Sequence, residues 1–288
     1  MRERACTVVR AGALSTVQDL GRFGRAHLGV PRSGALDLPA LRLANRLAGN
    51  PEGAAALETT LSGCAVRPRD AVTVAVAGAP CPVTVDGRPV AWGAPVRVPA
   101  GALLDVGAAA SGVRSYLAFG GGIVVEPVLG SRATDLLSGL GPAPLRDGTV
   151  LPLGPPAGPA APVDWVPCVA PPAELVLRLR LGPRDDWFTG GALRTLVTRT
   201  YRVSSASNRI GLRTEGPPLE RAVTAELPSE GMVVGAVQVP PDGRPVVFLA
   251  DHPTTGGYPV VGVVGARDLA AAAQAAPGTP VRFVAVRR

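Results

Sequence analysis

A mainly β architecture with a few short helices is predicted by three features of the amino-acid sequence. Val-rich runs recur about every ten to fifteen residues, and most of them end on Gly, Pro or Asp-Gly turns drawn from 36 Gly and 31 Pro. Only a few stretches carry the spacing of an amphipathic helix. Hydrophobic residues make up 47% of the 288, enough to fill packed cores, and the length suits one large domain or two of ordinary size.

From the N-terminus, residues 15–37, STVQDLGRFGRAHLGVPRSGALD, string Thr16, Gln18, Asp19, Arg22, His27, Ser33 and Asp37 between glycines without a clean period, which reads as a loop. Residues 36–48 then place Leu36, Ala40, Leu41, Ala44, Leu47 and Ala48 on one stripe, with Asp37 as N-cap and Gly49 as terminator, so a helix is expected there. A second short helix is expected from Pro51 through PEGAAALETTL. Strands are expected at VTVAVAG, CPVTVDGRPVAWG, APVRVPAG, LLDVG and RSYLAFGGG. Between Leu151 and Pro172 the composition turns Pro/Ala-rich and loses its period, and a domain boundary is placed inside this stretch, dividing the chain into 1–155 and 156–288. Beyond it, strands are expected at LVLRLRLG, MVVGAVQVP, PVVFLAD, PVVGVVG and VRFVAV, and helices at 185–200 and at 267–276, the last ended by Pro277 and Gly278. The pentapeptide DGRPV occurs at Asp86–Val90 and again at Asp242–Val246, each time after a Val-rich run; it is either the relic of a duplication or a shared turn.

Composition excludes several classes of function. The net charge of +7 comes with arginines dispersed along the whole length and with three Tyr, three Trp and five Phe, so nucleic acid is not expected as a partner. All 29 basic residues are Arg. Without Lys the chain itself has no phosphate loop of the P-loop type, no Schiff base and no biotinyl attachment point. Cys6, Cys64, Cys81 and Cys168 form no CxxC pair and have only His27 and His252 to join them, so no metal site is expected. The start lacks the apolar core of a signal peptide, and no run reaches the length of a membrane span, which together with the unpaired cysteines leads us to expect a cytoplasmic protein away from membranes.

No GxSxG, HExxH or GxGxxG pattern is present, and FGGGI at Phe119–Ile123 lacks the Lys and hydroxyl of a phosphate loop. Polar residues are densest in 15–37 and in Ser204–Pro259, where TTGGYP offers hydroxyls, a phenol and unhindered amides to a carboxylate or phosphoryl oxygen. Each of these residues is equally well explained as a solvated turn residue.

The ordered segments STVQDLGR, GVPRSGALD, AN-x-L-x-GN (44–50), LETTLSG, RSYLAFGGGI, VLGSRATD, SNRIGLRTEGP, SEGMVVGAVQVPPDG and TTGGYP resemble the family of carboxyltransferase subunits that includes the 5-oxoprolinase C subunit and allophanate hydrolase subunit 2-like proteins, over nearly the whole chain. One departure is Gly63-Cys64-Ala65, where the family usually has Gly-Pro and an apolar residue. The resemblance implies two cyclophilin-like β-barrel domains. It also implies a related second subunit of the 5-oxoprolinase B type, a larger third subunit, and ATP-dependent opening of 5-oxoproline to glutamate, with ATP used at the level of the complex. An alternative within the family is a biotin-dependent carboxyltransferase acting on urea or a related amide, its biotin carried by another chain. A third reading is a regulatory protein that binds a partner without turnover.

A lactam is a poor electrophile, and an enzyme that opens one with ATP must stabilise anionic oxygens. The catalytic candidates are accordingly Arg22, Arg132 and Arg209 with the carboxylates Asp19, Asp135, Glu230 and Asp251. The substrate-binding candidates are Thr16, Gln18, Ser33, Asn208, Arg213, Gln238, Thr254, Thr255, Gly256, Gly257 and Tyr258. Any of the four carboxylates is equally an arginine partner that orders a loop. The segments SNRIGLR and TTGGYP are expected to meet in one cleft beside the partner subunit, with Arg209 as a surface guanidinium.

Overall fold

A computed structural model of the chain describes residues 4–160, 166–167 and 171–286; Cys168 and the middle of the Pro/Ala-rich break lie outside them. The chain divides into two compact units, one made of residues up to 22, 33–135 and 139–171, the other of 23–32, 136–138 and the residues from 172 onward. The mainly β expectation holds in both.

In the first unit the strands are β1 (Ala5–Arg10), β2 (Leu14–Gln18), β3 (Ala56–Thr60), β4 (Cys64–Pro68), β5 (Val72–Gly78), β6 (Val83–Val85), β7 (Arg88–Pro89), β8 (Val96–Val98), β9 (Leu104–Val106), β10 (Arg114–Phe119) and β11 (Val150–Pro152). They form two sheets, ordered β11-β1-β4-β9-β6-β7 and β2-β3-β10-β5-β8. One core cluster takes side chains from both sheets, among them Val8, Val66, Leu104, Val106, Leu117 and Phe119. Alternation along β5 assigns Val72, Val74 and Val76 to that cluster and Ala75 and Ala77 to a second one, shared with Leu41, Ala44 and Leu47 of helix α1 (Leu38–Leu47). The residues that meet the helix are small, Ala56, Ala75, Ala77 and Ala118, so the helix axis can approach the sheet closely. Strand β10 is buried at every position because core covers both of its faces. Helix α1 starts where the sequence places it: the Asp37 carboxylate accepts the Ala40 amide at 3.1 Å, and Gly49 turns the chain away with φ 77.

Two expectations fail here. Residues 56–60, read as the continuation of a helix from Pro51, are strand β3, paired with β2 on one side and β10 on the other. Its Glu58 is buried and accepts the Leu36 amide at 3.0 Å and the Tyr116 hydroxyl at 2.7 Å, and these pairings outweigh the helical leaning of an Ala-Leu-Glu run. Likewise the loop read over 15–37 begins inside β2, whose polar residues Ser15, Thr16 and Gln18 are buried.

The second unit contains β12 (Leu175–Leu181), α2 (Gly190–Thr198), β13 (Tyr201–Val203), β14 (Gly211–Glu215), β15 (Glu230–Gly231), β16 (Ala236–Gln238), β17 (Val246–Phe248), β18 (Thr255–Gly256), β19 (Val260–Val264), α3 (Ala266–Gln274) and β20 (Pro280–Ala285). Seven strands close a barrel in the order β12-β19-β16-β17-β14-β13-β20. Parallel pairing of β12 with β20 completes the ring, which removes the free sheet edges. Leu175, Leu177 and Leu179 alternate inward with arginines outside, and Tyr201 packs edge-on against Phe283 at 5.7 Å. The strand expected from Met232 begins only at Ala236, because Gly235 turns with φ 83 where a Cβ would stand 2.4 Å from the Val264 carbonyl oxygen. Helix α3 is tied to β12 by Asp268, which accepts the Arg178 amide at 2.7 Å and pairs with its guanidinium.

Burial pushes the thiols of Cys6 and Cys64 and the Tyr201 phenol up to about 12. The unfolded chain would release these protons near their ordinary values while the folded chain retains them. The contribution of these three groups to stability is therefore expected to be constant below about pH 8.5 and to fall toward pH 12, by up to about 1.4 kcal/mol per pH unit for each group, in denaturant midpoints measured from about pH 8 upward.

Candidate functional site

Within the first unit, three stretches of chain converge on a buried polar network: 16–22, 33–35 and 128–135. Strand β2 delivers Thr16 and Gln18 to it, and the turn that follows delivers Asp19 and Arg22. The Asp19 carboxylate is fully employed. One oxygen accepts the Gly21 amide at 2.8 Å and the Ser131 hydroxyl at 2.6 Å, and the other accepts the Arg132 amide at 2.7 Å. Its main-chain oxygen receives the Ala35 amide at 3.0 Å, which ties in the third stretch. Arg22, buried, donates to the carbonyls of Val128, at 3.1 Å, and Ala133. Arg132 reaches the Val125 carbonyl at 2.8 Å, and the Asp135 amide closes a turn on Leu140 at 2.9 Å. Ser33, at φ 53, donates to the Thr134 carbonyl at 3.0 Å. Beside it Gly34 approaches Gly21 so closely that a Cβ would stand 2.8 Å from the Gly21 nitrogen.

Among the described residues, Gln18 is the side chain of this network with an open acceptor. Its Nε2 donates to Thr16 Oγ1 at 3.1 Å and to the Thr134 carbonyl at 3.0 Å. The second of these bonds requires a donor, and so fixes which end of the amide is oxygen. The remaining Oε1 is buried and accepts nothing from the protein. A buried carbonyl oxygen of this kind calls for a small donor, either water or an N–H of a bound molecule.

The second unit holds the other candidates in three hydrogen-bonded groups. Arg209 and Asp251 form a buried bidentate pair, Nε to Oδ2 and a terminal nitrogen to Oδ1, both at 2.9 Å. The Asp251 amide donates to the Arg209 carbonyl at 3.1 Å, and Asp251 Oδ2 also accepts the Leu136 amide at 3.1 Å. The surface placement expected for Arg209 is thus corrected: it is 1% exposed and its partner is 0% exposed. A second group lies around the short pairing of β15 with β18. Glu230, Thr255 and Gly256 sit in that ladder, the Thr254 carbonyl receives the Met232 amide at 2.8 Å, and Gln238 donates to the Tyr258 carbonyl at 3.2 Å. Gly256 lies against Gln238, since a Cβ there would stand 2.7 Å from its Nε2, while Gly257 has 3.3 Å to the Leu227 carbonyl oxygen. Arg184 pairs with Glu230 and holds its carboxyl below the usual carboxylate range. Third, Asn208 caps its own turn, accepting the amides of Ile210 and Gly211 at 2.8 and 3.2 Å, and Arg213 stands exposed on the outer face of the barrel.

Ser131, Thr134 and Arg184 belong to these networks and are not among the residues singled out from the sequence. Ser131 and Thr134 flank Arg132 in the VLGSRATD segment, so a hydroxyl count of that segment was the available signal; Arg184 offers none, being one arginine among 29. Among the described residues no group of three His, Cys, Asp or Glu could hold a metal ion, and no helix is long and apolar enough to cross a membrane.

A family model for the carboxyltransferase domain, subdomain A and B, matches residues 28–285. The chain belongs to this carboxyltransferase family. It is 38% identical to the C subunit of the Escherichia coli 5-oxoprolinase over 96% of its own length and 90% of that protein's. It superposes on the crystal structure of TTHA0988 with a TM-score of 0.89 at 38% identity, covering 98% of this chain and 56% of the other. On the Kluyveromyces lactis urea carboxylase the TM-score is 0.90 at 30% identity, covering all of this chain and 28% of that one. The family is therefore found both in proteins of about this length and as part of much longer chains.

A buried ion pair broken on one side leaves a charge without compensation. Arg209→Ala or Asp251→Ala in this carboxyltransferase-family chain is expected to cost about 3–5 kcal/mol, read as a shift in denaturant midpoint. The double replacement Arg209→Met with Asp251→Leu should recover much of that loss.

Proposed function

We propose that the chain is a subunit of an ATP-dependent 5-oxoprolinase complex that converts 5-oxo-L-proline to L-glutamate. The observation that carries this reading is the match to 90% of the E. coli C subunit at 38% identity. In this reading ATP phosphorylates the lactam oxygen and leaves as ADP, one water adds to the activated carbon and the C–N bond opens to an acyl phosphate, and a second water releases phosphate and leaves the carboxylate of glutamate. Because the chain holds no Lys, anionic oxygens would be met here by arginines and loop amides. The partners already described suit Asp19, Asp251 and Glu230 to positioning roles, holding the 128–135 loop, Arg209 and Arg184 respectively.

In this reading Gln18 acts from behind the substrate, its two donor bonds holding Thr16 and the Thr134 carbonyl in place. Co-expression with a B-type partner and the larger third subunit should release glutamate from 5-oxoproline only when ATP is supplied. No ATP-dependent turnover by the complete set would overturn the assignment. In the active complex, Gln18→Met should lower kcat/KM by about tenfold, because Thr16 and the 128–135 loop lose the donor that places them.

A second reading, a biotin-dependent carboxyltransferase acting on urea or a related amide, is favoured by the fit to the K. lactis urea carboxylase. The biotin would have to arrive on another chain, since no Lys is present to bear it. Bicarbonate-dependent carboxylation of urea with an added biotinylated carrier distinguishes it from the first.

A further inference from the structure

On the outer face of the barrel, a pocket of about 390 Å3 is bounded by Ser204, Arg213, Glu215, Asp242 and Arg244; Arg213 is the one of these five that the sequence offered as a substrate-binding candidate, and the proposed reaction uses none of them. Its volume lies in the range of small-molecule sites, roughly 300–1,000 Å3. Two of the segments that stand out in the sequence meet there, SSASNRIGLRTEG and the second DGRPV.

The walls are held in place by the backbone. Strand β14 buries Leu212 and Thr214 and exposes Arg213 and Glu215, so the two charged side chains share its outer face. The amide and hydroxyl of Thr214 both donate to the Pro245 carbonyl, at 3.2 and 2.7 Å, which fastens the β16–β17 connection to the strand. That connection is braced in turn by Gly243 donating to the Pro240 carbonyl at 2.9 Å and by Asp242 accepting the Arg244 amide at 3.1 Å. The Ser204 amide donates to the Arg213 carbonyl at 2.9 Å and fixes the opposite wall.

The charges in this pocket do not neutralise one another. Among the described residues Arg213, Arg244, Glu215 and Asp242 take part in no ion pair, although all four line one cavity. Two guanidinium groups offer forked donors suited to a carboxylate, and two carboxylates stand beside them to receive an ammonium. A multiply charged phosphate would be repelled by Glu215 and Asp242, and a dicarboxylate would satisfy only the arginines.

We propose that this pocket binds a free α-amino acid or a zwitterion of like size, its carboxylate on Arg213 and Arg244 and its ammonium on Glu215 and Asp242. The proposal rests on the pocket alone and stands apart from the reaction assigned to the chain. Calorimetric titration of the intact chain with L-glutamine, succinate and inorganic phosphate tests it without any need for turnover. L-Glutamine is expected to bind with a Kd of about 1 mM or tighter, and succinate and phosphate at least about tenfold more weakly. Arg213→Glu, Arg244→Glu and Glu215→Lys should each weaken L-glutamine by about tenfold or more, with Arg213→Gln as the milder variant if a charge reversal disturbs folding. No L-glutamine binding up to about 20 mM, tighter binding of phosphate or succinate, or variants that bind as the parent does would overturn it.

Discussion

Loops taken out of water must find partners for their amides and carbonyls, and much of the polar chemistry of this molecule meets that demand. Asp19 shows how much one side chain can supply. Its two oxygens take the amides of Gly21 and Arg132 and the Ser131 hydroxyl, so a single carboxylate replaces a strand's worth of pairing where the chain is irregular. Asn50 does the same at the end of α1, donating to the Phe119 carbonyl and accepting the Gly121 amide, both at 2.8 Å. Where the demand is fully met, the side chains of the loop are spent. Gln18 is informative because one of its atoms is not spent.

The same constraint explains the basic character of the chain better than a polyanionic partner does. Several arginines act as carbonyl clamps: Arg4 on Gly120 and Gly154, Arg22 on Val128 and Ala133, Arg132 on Val125, Arg221 on Val239. A guanidinium has five donors in a fixed plane, so one side chain can satisfy carbonyls from two turns, which an ammonium does with less geometric selectivity. The charge left over is dispersed, and the field needed to hold a nucleic-acid backbone is not assembled. Arg213 and Arg244 are among the arginines that have no acidic partner among the described residues.

Elements whose cause is local are legible in the sequence. Helix α1 is, because its stripe, its Asp37 cap and Gly49 lie within a dozen residues of one another, and so is β5, whose Val/Ala alternation names both of its faces. Elements decided at long range are not. Strand β3 is chosen by partners on both edges and by Tyr116, 58 residues from Glu58, against the leaning of its own sequence. Arg209 carries no local mark of burial, and its partner lies 42 residues away, so residue type alone suggests the surface that arginines usually occupy. The polar residues of 15–37 stand out as a group, but their burial does not. A buried Thr or Gln and a solvated one look alike until the neighbouring loops are placed.

The two DGRPV segments show how far identical residues determine structure and where their influence stops. Both serve the turn of an antiparallel hairpin, β6 to β7 and β16 to β17, as the Asp-Gly pair disposes them to do. At the first, Asp86 and Gly87 have φ of 48 and 75 and form a tight two-residue connection, with Arg88 already in strand. At the second, Gly243 alone has a positive φ, at 76, and the connection is longer, reaching from Val239 to Pro245. Arg244 is thereby left on a loop instead of in a ladder. The difference is made by what each connection rests on. Asp86 accepts the Leu103 amide at 2.8 Å and is drawn into its sheet, while Pro245 is held by Thr214 of a neighbouring strand and keeps the loop arched over the barrel. An arched loop encloses space and a tight hairpin does not, so the same pentapeptide closes a sheet edge in one unit and gives Asp242, Arg244 and Val246 to the wall of a charged pocket in the other.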